Sequence, residues 1–146
     1  MARKPAARTA GYSGTPLAQK LGIAAGQRLY VTGAPRDYRR LVGLPAGVRL
    51  GTGIAADTDL MHFFVTRRAE LELSLNAARG AMRDDAVIWV SWPKKSSGVA
   101  SELTEDGVRA VALPLDLVDV KVCAVDATWS GLKLVIRRTR RGVARA

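Results

Sequence analysis

The sequence contains a single cysteine, Cys123, and a single histidine, His62, among its 146 residues. One cysteine excludes an internal disulfide and a metal cluster built on cysteines. His62 lies within a continuous apolar stretch, which favours a hydrogen-bonded core residue over a catalytic base or a metal ligand. The two residues are far apart in sequence, which disfavours a catalytic pair. We therefore predict no catalytic residues, no metal site and no cofactor.

Long apolar runs are also missing, because none reaches the ~18–20 residues that a membrane-spanning helix requires. The basic start of the chain is not followed by the apolar stretch of a secretory signal. Apolar residues make up 48% of the chain and charged residues 25%, which is typical of a globular protein. We expect a cytoplasmic protein with one folded domain.

Acidic residues are absent from both ends of the chain. Residues 1–11 carry three cations and residues 137–146 carry five arginines, so residues 12–136 keep a net charge of only +2 out of +10. This distribution predicts a flexible basic tail over 1–11, a domain over 12–138 and a second basic tail over 139–146. The tails either keep the protein in solution or make weak, salt-dependent contacts with nucleic acid.

Apolar patterns alternate with helical ones along the domain. Runs of apolar residues predict strands at Arg28–Thr32, Val48–Leu50, Leu60–Val65, Ala86–Trp92, Leu117–Val125 and Thr128–Arg138. Helical spacing predicts helices at Thr15–Leu21, Asp37–Val42 and Arg67–Met82, and a fourth after Thr104. This order predicts an α/β fold with a mostly parallel sheet and a C-terminal antiparallel hairpin.

One connection does not suit a parallel sheet. Only nine residues, Gly51 to Asp59, separate the second and third strands, which is too few for a helical crossover. Either a bare loop crosses the sheet at this point, or Val48–Leu50 lies outside the parallel set.

Residues 59–138 resemble the C-terminal half of Rossmann-like S-adenosylmethionine-dependent methyltransferases. The matching features are an acid before an apolar strand (Asp59-Leu60), a helix, a strand of the type Val87-Ile88-Trp89-Val90, a second helix and the terminal hairpin. The resemblance implies a reduced methyltransferase-like sheet that lacks the third strand-helix unit. The first half departs from the family's cofactor pattern. Gly33-Ala34-Pro35 replaces the glycine-rich turn, and no acid follows the second strand before Asp57.

Most of the chain is also similar to a bacterial family of unknown function. The segments that carry this second resemblance are 11–18, 64–66, 89–95, 119–126 and 129–133. It implies the same fold and supplies no activity.

Ligands of parallel α/β sheets bind beyond the carboxyl ends of the strands. The candidate ligand-binding residues at that edge are Thr32, Gly33, Thr66, Arg67, Lys94, Lys95, Ser96, Ser97 and Gly98. The Thr66 hydroxyl and the first N–H groups of the following helix are expected to face an anion, with Lys94 and Lys95 supplying positive charge. Trp89, Trp92 and Trp129 are most simply core or edge residues, and the alternative prediction is that Trp92 and Trp129 form walls of the same cleft. The alternative is that Thr66 only caps its helix and the lysines are solvated.

Three functions are compatible with this pattern. The main hypothesis is a non-catalytic or regulatory protein that binds a small anionic ligand or a protein partner at the strand ends. The alternatives are a divergent S-adenosylmethionine-dependent methyltransferase and a nucleic-acid accessory protein that acts through its basic tails.

Overall fold

A computed structural model describes residues 16–142. The predicted tail 1–11, the predicted helix start Thr15 and residues 143–146 lie outside this range. The strands are β1 (Arg28–Thr32), β2 (Arg49–Leu50), β3 (Leu60–Phe64), β4 (Val87–Pro93), β5 (Leu117–Ala124) and β6 (Trp129–Ile136). They form one sheet in the order β2-β1-β3-β4-β6-β5. Strands β2, β1, β3 and β4 pair in parallel, and β6 pairs antiparallel to both β4 and β5. The predicted mostly parallel sheet with a C-terminal hairpin is confirmed.

Helices cover both faces of the sheet. They are α1 (Leu17–Leu21), α2 (Tyr38–Val42), α3 (Arg68–Ala81) and α4 (Glu105–Ala112). The buried residues of α1 and α2 share one core cluster, and those of α3 and α4 share the other. We call these two sides of the molecule the α1/α2 face and the α3/α4 face. None of the helices within residues 16–142 has the length and apolarity needed to span a bilayer.

The short strand β2 belongs to the parallel set at the edge of the sheet. Its residue Arg49 pairs with Arg28 of β1, and β1 also pairs with β3 on its other side. The chain from Gly51 to Asp59 therefore crosses β1 as a bare loop, which is the first of the two predicted possibilities. Ile54 of this loop packs against the core cluster of the α3/α4 face.

Strand β5 forms the opposite edge of the sheet. Its pairing with β6 shifts by one residue between Asp119 and Lys121, which leaves Val120 without a partner in the ladder. Val120 is 56% exposed, so this bulge lies in contact with solvent.

Part of the predicted C-terminal tail makes contacts with the domain. Arg140 lies 3.3 Å from a carboxylate oxygen of Asp116. The Nε of Arg141 donates a hydrogen bond of 2.9 Å to the carbonyl of Ile136. The contacts of the domain thus continue beyond residue 138, because an acid and a free strand-end carbonyl lie within reach of these arginines.

A buried chain of polar side chains joins α2 to the centre of the sheet. The Tyr38 hydroxyl is hydrogen-bonded to His62 Nδ1 at 2.8 Å, and His62 Nε2 is hydrogen-bonded to Ser91 Oγ at 2.7 Å. His62 and Ser91 have no exposed surface. Burial lowers the pKa of His62 from 6.5 to about 3, so its imidazole is neutral. His62 is the hydrogen-bonded core residue that the apolar stretch predicts.

This buried imidazole makes stability depend on pH. The unfolded chain takes up a proton on His62 below pH 6.5, whereas the folded chain does so only near pH 3. The contribution of His62 to the free energy of unfolding is therefore fully present above pH 6.5 and decreases as the pH is lowered towards 3. We expect the free energy of unfolding to be about 2 kcal/mol lower at pH 5 than at pH 7, as measured by urea denaturation. His62→Gln should show a smaller loss over the same interval; an equal loss in the variant would contradict the assignment.

Candidate functional site

The predicted ligand-binding residues form three segments, 32–33, 66–67 and 94–98, and these segments do meet at one edge of the sheet. They follow β1, β3 and β4, which are neighbours in the sheet. Thr32 is in register with Phe63, and Phe64 is in register with Ser91, so the carboxyl ends of these strands are aligned. The geometry of each segment nevertheless differs from the simple anion cleft that the sequence predicts.

The turn after β1 requires a glycine. Gly33 has a φ of +70°, and a Cβ at this position would collide with the carbonyl oxygen of Phe64. The main chain therefore leaves β1 in direct contact with the end of β3. This close approach fixes the start of the loop that leads to α2.

A groove runs beside this turn on the α3/α4 face. It has a volume of about 410 Å³ and is lined by Tyr30, Thr32, Ile54, Phe63, Leu73, Ser74, Ala77 and Ala81. Strands β1 and β3 form its floor, α3 forms one wall, and the bare loop with Ile54 contributes to the other. The lining contains no charged side chain, so the groove suits an uncharged group.

Three hydroxyl groups line this groove without a hydrogen-bond partner. The side chains of Tyr30, Thr32 and Ser74 form no hydrogen bond with any residue in the range 16–142. Tyr30 and Phe63 lie edge to face, with their ring centroids 6.3 Å apart. Apolar walls with a few unpaired polar groups are the usual composition of a small-molecule site.

Sequence reasoning identified only Thr32 among these lining residues. Tyr30 and Thr32 alternate along a predicted strand, and this signal could have placed them on one face. Leu73 lines the groove although 75% of it is exposed. The groove itself depends on where the crossing loop lies, which the sequence left open.

The start of α3 is occupied by carboxylates. The main-chain N–H groups of Thr66 and Arg67 both donate to Glu70 Oε1 at 3.1 Å. The N–H of Arg68 donates to Glu102 Oε1 at 2.9 Å. These N–H groups are the donors that were predicted to bind an anion. Since protein carboxylates already accept from them, we do not include Thr66 and Arg67 in a binding site.

The lysine loop is a compact turn beside a smaller pocket. Residues Lys95–Ser97 form a 3-10 turn, Gly98 follows with a φ of +79°, and Ser97 Oγ donates to the Lys94 carbonyl at 2.6 Å. Ser96 is exposed. The pocket has a volume of about 240 Å³ and is lined by Trp92, Pro93, Lys94, Lys95, Leu103, Thr104, Glu105 and Ser130. We call it the lysine pocket.

The two tryptophans of the predicted cleft lie on opposite faces of the sheet. Trp92 is buried in the core of the α3/α4 face. Trp129 packs on the α1/α2 face, where its ring centroid lies 5.1 Å from that of Phe64. Trp129 pairs with Pro93, the residue after Trp92, and successive residues of a strand point to opposite faces. The prediction that Trp92 and Trp129 wall one cleft is therefore wrong.

The remaining titratable candidates do not reach this edge. Cys123 is 5% exposed, and its Sγ donates to the Ala124 carbonyl at 3.3 Å. No group of three or more histidine, cysteine or acidic side chains suited to a metal ion occurs within residues 16–142. The chemistry available at the described edge is therefore that of hydroxyls, lysines and the main chain.

The glycine requirement can be tested against a second glycine of similar conformation. Gly33→Ala should lower the free energy of unfolding by roughly 3 kcal/mol, because a left-handed φ and a collision with the main chain act together. Gly43 has a φ of +73° with nothing within 4 Å of its Cβ position. Gly43→Ala should therefore cost only about 1 kcal/mol. Urea denaturation of both variants measures the difference, and equal losses would contradict the close contact.

Comparison with known proteins identifies the fold. No family model matches the chain, so its predicted membership of an uncharacterised bacterial family stays a prediction. No curated protein matches it in sequence either.

Solved structures are similar to this chain in fold. A TehB-like S-adenosylmethionine-dependent methyltransferase from Corynebacterium glutamicum matches with a TM-score of 0.54 and 11% identity, over 88% of this chain and 91% of that one. The Bacillus subtilis tRNA methyltransferase TrmK matches with a TM-score of 0.53 and 11% identity, over 85% and 67%. Fibrillarin from Aeropyrum pernix, solved with natively bound S-adenosylmethionine, matches with a TM-score of 0.50 and 15% identity, over 86% and 70%. The chain therefore has a Rossmann-like fold similar to that of these methyltransferases, and identities this low show the fold alone.

Proposed function

We propose that this chain is a divergent S-adenosylmethionine-dependent methyltransferase whose cofactor binds where β1 and β3 end. The observation that carries this proposal is the uncharged groove beside the Gly33 turn, with three hydroxyls that have no hydrogen-bond partner among the described residues. The groove reaches the carboxyl edge of the sheet at Thr32, the last residue of β1, and ligands of open α/β sheets bind at that edge. Its volume of about 410 Å³ falls within the range of small-molecule sites.

The residues of the groove fit the nucleoside part of such a cofactor. Tyr30, Phe63 and Ile54 offer apolar surface to a flat ring. Thr32 and Ser74 offer hydroxyls to ribose or ring nitrogen atoms.

A second part of the family pattern is replaced, in addition to the glycine-rich turn. The family places an acid after the second strand to hold the ribose hydroxyls, whereas β2 is followed by Gly51, Thr52 and Gly53. The next acid, Asp57, lies 3.6 Å from Arg28 Nε and forms an ion pair. Neutral hydroxyls bind ribose less strongly than a carboxylate does, so we expect weak affinity for the cofactor.

The bound cofactor supplies a methyl group that is activated on a positively charged sulfur. The contribution of the protein is then to orient the nucleoside through Thr32 and Ser74 and to exclude water from its ring through Phe63 and Ile54. Transfer of a methyl group depends strongly on such positioning. The described part of the chain offers no accessible histidine or cysteine as a base, because His62 and Cys123 are buried.

Calorimetry with S-adenosylhomocysteine tests this proposal. We expect binding in the micromolar to millimolar range, which Ala77→Phe should weaken at least tenfold because the added ring fills the groove. Ala69→Phe adds the same ring to an exposed position of α3 outside the groove lining and should bind as the unmodified chain does. Absence of binding at millimolar concentration, or equal effects of the two variants, would contradict the proposal.

A second candidate function rests on the lysine pocket. Lys94 and Lys95 line it, and its acid Glu105 is already ion-paired with Arg109. The pocket thus keeps positive charge for a small anion. A protein that binds an anion there without converting it would be a regulatory protein.

Thermal unfolding with and without a phosphate monoester tests the second candidate. Phosphate should raise the melting temperature by a few degrees at saturating ligand, since binding to the folded state alone is stabilising. Lys94→Ala with Lys95→Ala should remove this shift. Arg138→Ala, which removes an exposed cation elsewhere, should keep it. A shift that survives the double substitution would rule out the lysine pocket.

A further inference from the structure

The charges of this protein are divided between the two faces of its sheet. Six cations lie on the α1/α2 face, which we call the basic face: Lys20, Arg36, Arg39, Arg40, Lys121 and Lys133. This face also has two acids. Asp37 lies at the start of α2, and Asp126 lies at the edge of the face, in the turn between β5 and β6. The body of the chain is nearly neutral in total, so only the fold reveals this division.

Three lysines form one end of the basic face. Lys121 Nζ donates to the carbonyl of Lys20 at 3.2 Å, which places it over α1. Lys133 pairs with Lys121 across the hairpin. Its neighbours Leu132 and Leu134 are buried on the α3/α4 face, so Lys133 points to the other side.

Three arginines of the α2 region form the other end. Arg36, Arg39 and Arg40 are exposed, whereas Tyr38 and Val42 of the same helix are buried against the sheet. The ion pair between Arg40 and Asp37 is long, at 4.0 Å, and the Arg40 side chain is 87% exposed. Such an exposed pair contributes little, so these arginines keep most of their charge for a partner.

The opposite face carries most of the acids. Those on or beside α3 and α4 are Glu70, Glu72, Glu102, Glu105, Asp106, Asp116 and Asp119. Several of them are paired with arginines of that face, such as Arg68 with Glu72 and Arg109 with Asp119. The α3/α4 face therefore carries charges of both signs, whereas the basic face has six cations and two acids.

The extent of the basic face indicates the size of its partner. The lysine end lies over β5 and β6, and the α2 region covers β1 and β3. Four strand spacings separate β1 from β5, which is roughly 19 Å. A small anion cannot contact both ends, whereas a duplex nucleic acid presents one phosphate charge per ~1.7 Å of its axis.

The sequence that precedes α1, a helix of this face, is also basic. Pro16 directly precedes α1, and the residues before it include Arg3, Lys4 and Arg8. We propose that the basic face binds the phosphate backbone of a duplex nucleic acid. No aromatic side chain among the described residues of this face is fully exposed, since Tyr38 is buried and Trp129 half-buried, which favours backbone contact over stacking on single strands. This proposal is independent of the cofactor groove on the other face.

Fluorescence anisotropy with a labelled 20-base-pair duplex tests the proposal on the full chain. Binding should weaken with salt, with a slope of log K against log salt of about −0.9 for each phosphate contacted. Arg39→Gln with Arg40→Gln should make that slope less steep by about 2, and so should Lys121→Gln with Lys133→Gln. The control pair Arg67→Gln with Arg138→Gln removes two exposed cations outside the basic face and should keep the slope.

Two further arms identify the source of any affinity. Deletion of residues 1–11 should leave binding that still responds to both basic-face pairs. An affinity that disappears with this deletion, and does not respond to those pairs, would overturn the proposal. Vesicles of phosphatidylserine and phosphatidylcholine should bind less tightly than the duplex at equal salt. Tighter binding to the vesicles, or no binding to the duplex at low salt, would also overturn it. Circular dichroism confirms that each variant is folded.

Discussion

Two hydroxyl groups satisfy the hydrogen-bonding capacity of the buried imidazole of His62, and much of the packing on the α1/α2 face depends on this imidazole. A neutral histidine without exposed surface is tolerated only when both ring nitrogens are hydrogen-bonded. Tyr38 and Ser91 meet that requirement from α2 and β4, so one side chain connects a helix to two neighbouring strands. Stacking of His62 on Phe64, with ring centroids 4.2 Å apart, extends the connection to the end of β3. The carbonyl oxygen of Phe64 is also the atom that a Cβ at Gly33 would meet, so the connection reaches the turn after β1.

The sheet also separates the two proposed binding sites, the groove and the basic face. Uncharged walls and unpaired hydroxyls lie on the side of α3, together with most of the acids. The six cations of the basic face lie on the side of α1 and α2. Because side chains of a strand alternate between the faces, neighbouring residues such as Leu132 and Lys133 serve opposite surfaces. A methyl donor on one side and a polyanion on the other would meet only at the carboxyl edge that both faces share.

Most of the fold could be predicted from the sequence, whereas little of the candidate site could. The uninterrupted apolar run at β3 and the helical spacing of Leu71, Leu75 and Ala78 are direct consequences of burial, so these elements were predictable to within one or two residues. Gly33 was identified, but its collision with Phe64 required the register of β1 and β3. Glu70 and Glu102 at the start of α3 could not be anticipated, since Glu102 lies in a distant loop. The groove depends on the path of the Gly51–Asp59 loop, which local pattern does not encode.

The bulge at Val120 has a consequence for the behaviour of many copies of this chain together. A regular outer strand presents a row of free N–H and C=O groups to which a second molecule can add its own strand. In β5 the ladder is interrupted at Val120, and the charged Lys121 follows directly. A local twist and a positive charge at this position oppose the stacking of copies edge to edge. The edge strand β5 exposes Val120 and Val122. The bulge and the charge beside them lower the tendency of the protein to aggregate through this edge at high protein concentration.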